Sequence, residues 1–230
     1  MPASGTFDPI NPDTIIGQAF SKEILDAFSA YERVANLNFS PSLEDTSEES
    51  PPQEDFLNAD IKIVGIDGLG GGGRTLGGLA DFPGKNTKPD TSSADNDFES
   101  YIFIETNGNA AANLPPEDGG SSFINFVAVH EIGHALGLAH PHDDAGGSSV
   151  ITEQTATSND LKLDNERYTV MSYEYGDLDR RVPRDFGHVA GPSALDIAVI
   201  QAMYGANLST NTTNTTYNLL DPQAGELDVD

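Results

Sequence analysis

Between Thr14 and Ala35 the apolar residues Ile16, Phe20, Ile24, Ala27, Tyr31 and Val34 recur every three or four positions. That spacing lines one stripe of a helix and predicts an amphipathic helix packed on a sheet. Residues 60–66 alternate apolar and polar, which predicts a strand, and Ser100–Glu105 reads as a second, buried one. Between them, residues 75–83 predict a short strand that ends at Pro83. The stretch from Ser122 to Leu136 is different. Phe123, Ile124, Phe126, Val127, Val129, Ile132 and Leu136 leave almost no polar face beyond His130, Glu131 and His134. A helix apolar all round is a buried helix, here expected to be capped by Ser122. Gly133 in its interior costs about 1 kcal/mol relative to alanine, so a neighbour is expected to pack closely there. A last helix should begin near Pro192, with Asp196 favoured in its first turn by the dipole, and end at Gly205.

The intervening segments read as loops. Residues 44–55 are acidic and serine-rich with two prolines, and 107–121 and 142–167 are also polar. The run Gly68–Gly73 lacks the following lysine and helix of a phosphate loop, and the aspartates of a calcium nonapeptide repeat. It is expected to be a flexible connection.

Composition narrows the classes. The 230 residues suit one catalytic domain with a cleft, and the 23 glycines and 14 prolines fit a loop-rich chain. Acidic residues outnumber basic ones 37 to 11, a formal net charge of −26. Such a surface disfavours nucleic acid and anionic lipid as partners; it serves solubility first, and a second reading is that neutral or cationic peptides approach more easily than acidic ones. Zero cysteines exclude disulfides, a thiol nucleophile and cysteine-ligated zinc. No run of eighteen apolar residues suggests a membrane span, and the first residues show no classical signal peptide.

The chemistry concentrates in residues 130–141, His-Glu-Ile-Gly-His-Ala-Leu-Gly-Leu-Ala-His-Pro. His130 and His134 are four residues apart, on one helix face and about 6 Å apart along the axis. Both imidazoles can therefore reach one metal ion, and zinc accepts neutral histidine nitrogen. Gly137 allows the helix to end in a left-handed turn, after which His140 returns as a third ligand. Three protein ligands leave a fourth position open for water, as in a catalytic site. Glu131 projects beside the ligands, where a general base is needed.

This motif, with Thr169-Val170-Met171-Ser172-Tyr173 as a methionine turn downstream, resembles the metzincin zinc peptidases. Within them, Pro141 after the third histidine resembles the serralysin family. So do Asp196-Ile197-Ala198-Val199-Ile200-Gln201 and Tyr204-Gly205-Ala206-Asn207. The specific motifs cover roughly residues 120–207. The resemblance implies an α+β domain: a twisted, mostly parallel sheet with an antiparallel edge strand, packed on two long helices. The active-site helix would lie in the cleft above a smaller C-terminal lobe. Residues 1–205 are then the catalytic domain, with lobes of about 1–137 and 138–205, and 206–230 a tail or the start of a further domain. Relatives of this kind carry a calcium-binding repeat domain there. No motif in this chain supports Ca2+.

The resemblance further implies a secreted, monomeric zinc endopeptidase that binds an extended polypeptide along the edge strand near Leu76–Asp81. A proteinaceous inhibitor is a second expected partner. His130, His134 and His140 would hold Zn2+, Glu131 would be the general base, and Tyr173 would support the tetrahedral intermediate. Met171 would be an apolar floor, with His142 a surface residue and His188 a hydrogen-bonding one. Glu174 stands where relatives often have an aromatic, so specificity does not carry over. Two other readings share the motif: a zinc hydrolase of a non-protein amide, and a non-catalytic domain stabilised by zinc. Glu131 argues against the second, since a structural site needs no base.

Overall fold

The computed structural model describes residues 15–40, 59–66, 77–82, 100–105, 123–144, 147–151, 163–174, 189–210 and 212. The expectations for Ser122, Gly68–Gly73, Leu76, Pro83, His188 and the loops at 44–55 and 107–121 fall outside them. Six elements follow in order: α1 (Ile15–Val34), β1 (Ile61–Ile66), β2 (Gly78–Ala80), β3 (Ser100–Glu105), α2 (Phe123–Ala135) and α3 (Ala194–Tyr204). The architecture is mixed α+β.

The sheet order is β1-β3-β2. β1 runs parallel to β3, with Ile61 opposite Ser100 and Ile66 opposite Glu105, while β2 pairs antiparallel to β3. β3 alternates as period two requires: Ser100, Ile102 and Ile104 are buried, and the residues between them are half-buried. β1 departs from a simple apolar-in, polar-out strand, because Lys62 is as buried as the core. Its Nζ donates to the Ala59 carbonyl at 2.6 Å and lies over the Tyr101 ring, so the ammonium keeps partners under cover.

Of the stripe read from the spacing, α1 buries Ile24, Ala27 and Tyr31 and half-buries Val34, and Ala35, just past its end, is buried as well. It packs on α2, of which every residue except Phe123 is buried. α2 also lies against β2 and β3 and so forms the centre of the core. The Tyr31 hydroxyl crosses from α1 to donate to the Val129 carbonyl at 2.8 Å. A Cβ built on Gly133 would stand 2.8 Å from both that hydroxyl and Met171 Sδ, which explains a glycine in mid-helix.

α3 begins at Ala194, two residues after Pro192, with the extended Ser193 as its N-cap, and is closed by Gly205, whose φ is +85°. It is tied back to α1: Gln201 donates to the Val34 carbonyl at 2.7 Å and Asn36 N–H to the Gly205 carbonyl at 2.9 Å. Ala206 bridges Ala35, and Asn207 Nδ2 donates to the Glu32 carbonyl at 2.6 Å. The first two residues of the expected tail are therefore bonded to the helical core. None of the described helices is long and apolar enough to cross a membrane.

Candidate metal centre

α2 ends where the spacing requires. Gly137 has φ +101°; its N–H bonds the His134 carbonyl at 2.9 Å, and Leu138 N–H bonds the Gly133 carbonyl at 2.8 Å. This paired closure at a left-handed glycine reverses the chain and carries His140 back over His130 and His134. The three Nε2 atoms converge: His134 to His140 is 3.0 Å and His130 to His140 is 3.2 Å.

Each ring is turned by a partner on its other nitrogen. His130 Nδ1 lies 2.8 Å from the Val170 carbonyl, His134 Nδ1 2.8 Å from the Leu138 carbonyl, and His140 Nδ1 2.8 Å from Asp143 Oδ2. A carbonyl oxygen can only accept, so Nδ1 carries the proton in His130 and His134. The Asp143 carboxylate imposes the same on His140. Three bare lone pairs therefore face one point with no hydrogen between them, an arrangement that repels itself unless a cation shares it. Zinc with bonds of about 2.0–2.1 Å in a tetrahedron sets nitrogens roughly 3.3 Å apart, close to the spacing seen. The donor set is all imidazole and fits Zn2+. A carbonyl or carboxylate behind each ligand is also what a metal histidine needs.

Electrostatics agree. Burial, then the neighbouring His134, push His130 down to about 3, and burial, then His140, push His134 down to about 4. Burial also lowers His140, against the opposing pull of Asp143. All three are neutral ligands at neutral pH. Burial pushes the Glu131 carboxyl up to about 8, so this side chain can hold a proton as readily as release it.

The methionine turn lies beneath. Val170, Met171 and Ser172 are buried, and Met171 Sδ points at Gly133. Two residues on, the exposed Tyr173 places its hydroxyl 2.9 Å from His140 Nε2, and its ring stacks on His130 with centroids 5.6 Å apart. Burial, followed by the charges of Glu131 and Asp143, raises its hydroxyl above the usual phenol range.

His142 is not the surface residue expected of it. Its ring lies flat on His140, centroids 5.0 Å apart and planes 10° apart, and against Tyr173 at 4.8 Å. Asp164 approaches its Nδ1 at 3.6 Å and Asp143 its Nε2 at 4.0 Å, which draws the ring inward from solvent. His140, His142 and Asp143 form a second group of potential ligand atoms, but the Asp143 oxygen is already engaged by His140. Asp143 escaped the sequence reading. A carboxylate three residues past a metal histidine was the available signal, since such ligands need an acceptor. Asp196, expected as a dipole partner and as part of the motif at 196–201, has a further role. Its carboxylate also accepts from Thr169 Oγ1 at 2.6 Å, Val170 N–H at 2.7 Å and Ser193 N–H at 2.8 Å, pinning the methionine turn to α3.

Comparison with known proteins agrees with this geometry. Residues 6–176, about three quarters of the chain, match the family model described as Matrixin, peptidase M10. The chain is 31% identical to a serralysin of Proteus mirabilis over 147 residues, covering 62% of this chain and 28% of that protein. It is 36% identical to the metallopeptidase AprA of Pseudomonas marginalis over 126 residues, 52% of this chain and 25% of that one. With serralysin B of Dickeya chrysanthemi the identity is 42% over 90 residues, 39% and 18% of the two chains. The chain thus spans about a quarter of the length of the curated relatives it matches. Three converging imidazoles, a methionine turn beneath them and a match over most of the chain lead to one conclusion: the protein belongs to the matrixin (M10) family of metallopeptidases and is serralysin-like within it.

Proposed function

We propose that this chain is the catalytic part of a secreted zinc endopeptidase that hydrolyses peptide bonds in extended polypeptides. The observation that carries the proposal is the convergence of three Nε2 lone pairs, each oriented by its own acceptor, beside a buried carboxyl with no other evident task. His130, His134 and His140 would hold the ion. When bound, zinc supplies a Lewis acid that polarises the scissile carbonyl and acidifies water. Glu131 takes the proton of the attacking water on its carboxylate and passes it to the departing amine nitrogen. Its burial raises its proton affinity, and a nearby divalent cation draws it back towards the ionised form a base requires. The Tyr173 hydroxyl stands at the open side of the ligand set, where it can donate to the oxyanion.

The substrate path follows from register. Glu105 N–H bonds the Gly77 carbonyl and Asp81 N–H bonds the Tyr101 carbonyl, both at 3.0 Å. Alternation then turns the backbone groups of Gly78 and Ala80 away from β3, towards an incoming strand. An extended peptide pairing there would run beside Glu131. Phe82, whose ring meets His134 edge-on with centroids 5.3 Å apart, would bound the path at its end. The cleft would separate lobes of about residues 1–137 and 138–205 in a monomer.

Casein cleavage with and without a zinc chelator tests the reading, alongside Glu131→Gln. Hydrolysis that survives either would refute it. No observation favours a non-protein amide, and a purely structural zinc site would leave Glu131 unexplained.

A further inference from the structure

Gly78 lies on β2 directly over Glu131. A Cβ built there would stand 2.7 Å from Glu131 Cγ, 2.8 Å from its Oε1 and 2.8 Å from Val127 Cγ1. Carbon atoms in ordinary contact stand roughly 3.5–4.0 Å apart, so a methyl group here would displace the carboxyl by ~1 Å. The neighbouring Gly77 is also crowded, but by Val127 Cγ2 at 2.7 Å and the Phe123 ring, which is plain packing of strand on helix. At Gly78 two of the three crowding atoms belong to the reactive side chain, and the third is Val127 Cγ1.

From this contact we propose that Gly78 is a positioning residue for the general base. Gly78 opens β2, and glycine in a strand gives up side-chain packing and often marks a close approach of another group. That group is the Glu131 carboxyl, which lies against the strand backbone because nothing projects between them. The same residue turns its N–H and C=O to the free edge, where the proposed substrate docks. Gly78 therefore sets the height of the carboxylate relative to the scissile bond from a single backbone position. The methyl of an alanine would point at α2 and away from the edge. The flexible Glu131 would yield first, while the docking groups would stay in place.

This inference rests on the peptidase reading above, and the tests separate the two. In zinc-loaded enzyme, Gly78→Ala should lower kcat on a peptide substrate ~30- to 100-fold, with KM changed less than about threefold and the zinc content of wild type. In zinc-free protein, the 13C carboxyl resonance of Glu131, assigned through Glu131→Gln, should shift in Gly78→Ala and keep its wild-type position in Val127→Ala. The double variant Gly78→Ala/Val127→Ala, which removes the other crowded partner, should remain as slow as Gly78→Ala. A wild-type kcat in Gly78→Ala, a rise in KM alone, or recovery in the double variant would each overturn the assignment. The last would trace the loss to helix–strand packing. Full hydrolysis by Glu131→Gln would instead overturn the underlying peptidase reading.

Discussion

Asp196 is where the metal centre is most exposed to a change far from the metal. Its carboxylate gathers three donors: Thr169 Oγ1 on Oδ1, and the Val170 and Ser193 N–H groups on Oδ2. The residue is buried, and burial raises its carboxyl above the ordinary range while the three donors pull the other way. The charge is thus a cost that hydrogen bonding offsets. Removing the side chain in Asp196→Ala orphans two backbone N–H groups. At about 1–3 kcal/mol for each buried unsatisfied group, the loss should be roughly 2–6 kcal/mol. Asparagine behaves differently. Its oxygen can face the two N–H groups while its amide donates to Thr169 Oγ1, which already accepts from Met171 N–H at 3.1 Å and has a second lone pair. Asp196→Asn should therefore cost about 1–3 kcal/mol, roughly half the alanine loss, because both N–H groups keep an acceptor and only the buried Thr169 hydroxyl proton loses its own.

The functional consequence runs through one residue. The Val170 N–H held by Asp196 shares its residue with the carbonyl that orients His130. Loosening that acceptor should cost ~10- to 100-fold in zinc affinity, the range found when a ligand's outer partner is lost. Urea denaturation of zinc-free protein gives the stability, and competition with a chromophoric chelator gives the affinity. An alanine variant within about 0.5 kcal/mol of wild type and with unchanged zinc affinity would refute the argument. So would an asparagine variant as damaged as alanine.

Gly133→Ala gains about 1 kcal/mol of helix propensity but overpacks Tyr31 and Met171, so thermal and urea unfolding should show a net loss of roughly 1–2 kcal/mol. Tyr173→Phe removes a hydroxyl aimed at the ligand set, and kcat should fall ~10-fold or more while zinc content stays constant, as stopped assays and metal analysis will show. Glu131→Gln should stabilise the zinc-free protein as pH rises. The folded carboxyl keeps its proton up to about 8, whereas the unfolded one loses it above 4.5, so wild-type stability falls between those values. At pH 7 the variant should be ahead by up to ~3 kcal/mol, and the gap should close below pH 4.5 when unfolding is followed against pH.

The ligands were legible because helical geometry is local. A spacing of four from His130 to His134 and a glycine at 137 determine which rings share a face and where the chain turns. The stripe of α1, the three strands and the burial of α2 were readable for the same reason, since period and apolarity survive without knowledge of neighbours. The close approach at Gly133 could be anticipated as a gap, but not that Tyr31 and Met171 fill it, because both come from distant segments. The alternation at 60–66 predicts a strand but does not reveal that Lys62 is buried in it. Only tertiary structure shows that both faces of that strand are covered.

The same distinction explains why the site was half visible. A histidine becomes a metal ligand when its far nitrogen finds an acceptor, and two of those acceptors are local while the third is distant in the chain. For His134 it is Leu138, within the same turn; for His140 it is Asp143, in the next; for His130 it is Val170, forty residues away. The first two could be inferred from local geometry and the chemistry of metal histidines. The third depends on α3, because Asp196 holds the Val170 peptide in place. The helix that supplies two ligands thus does not orient its own first histidine. That task passes to the methionine turn and the C-terminal helix, so the motif at 130–141 requires the chain as far as residue 196 to bind metal with all three rings aligned.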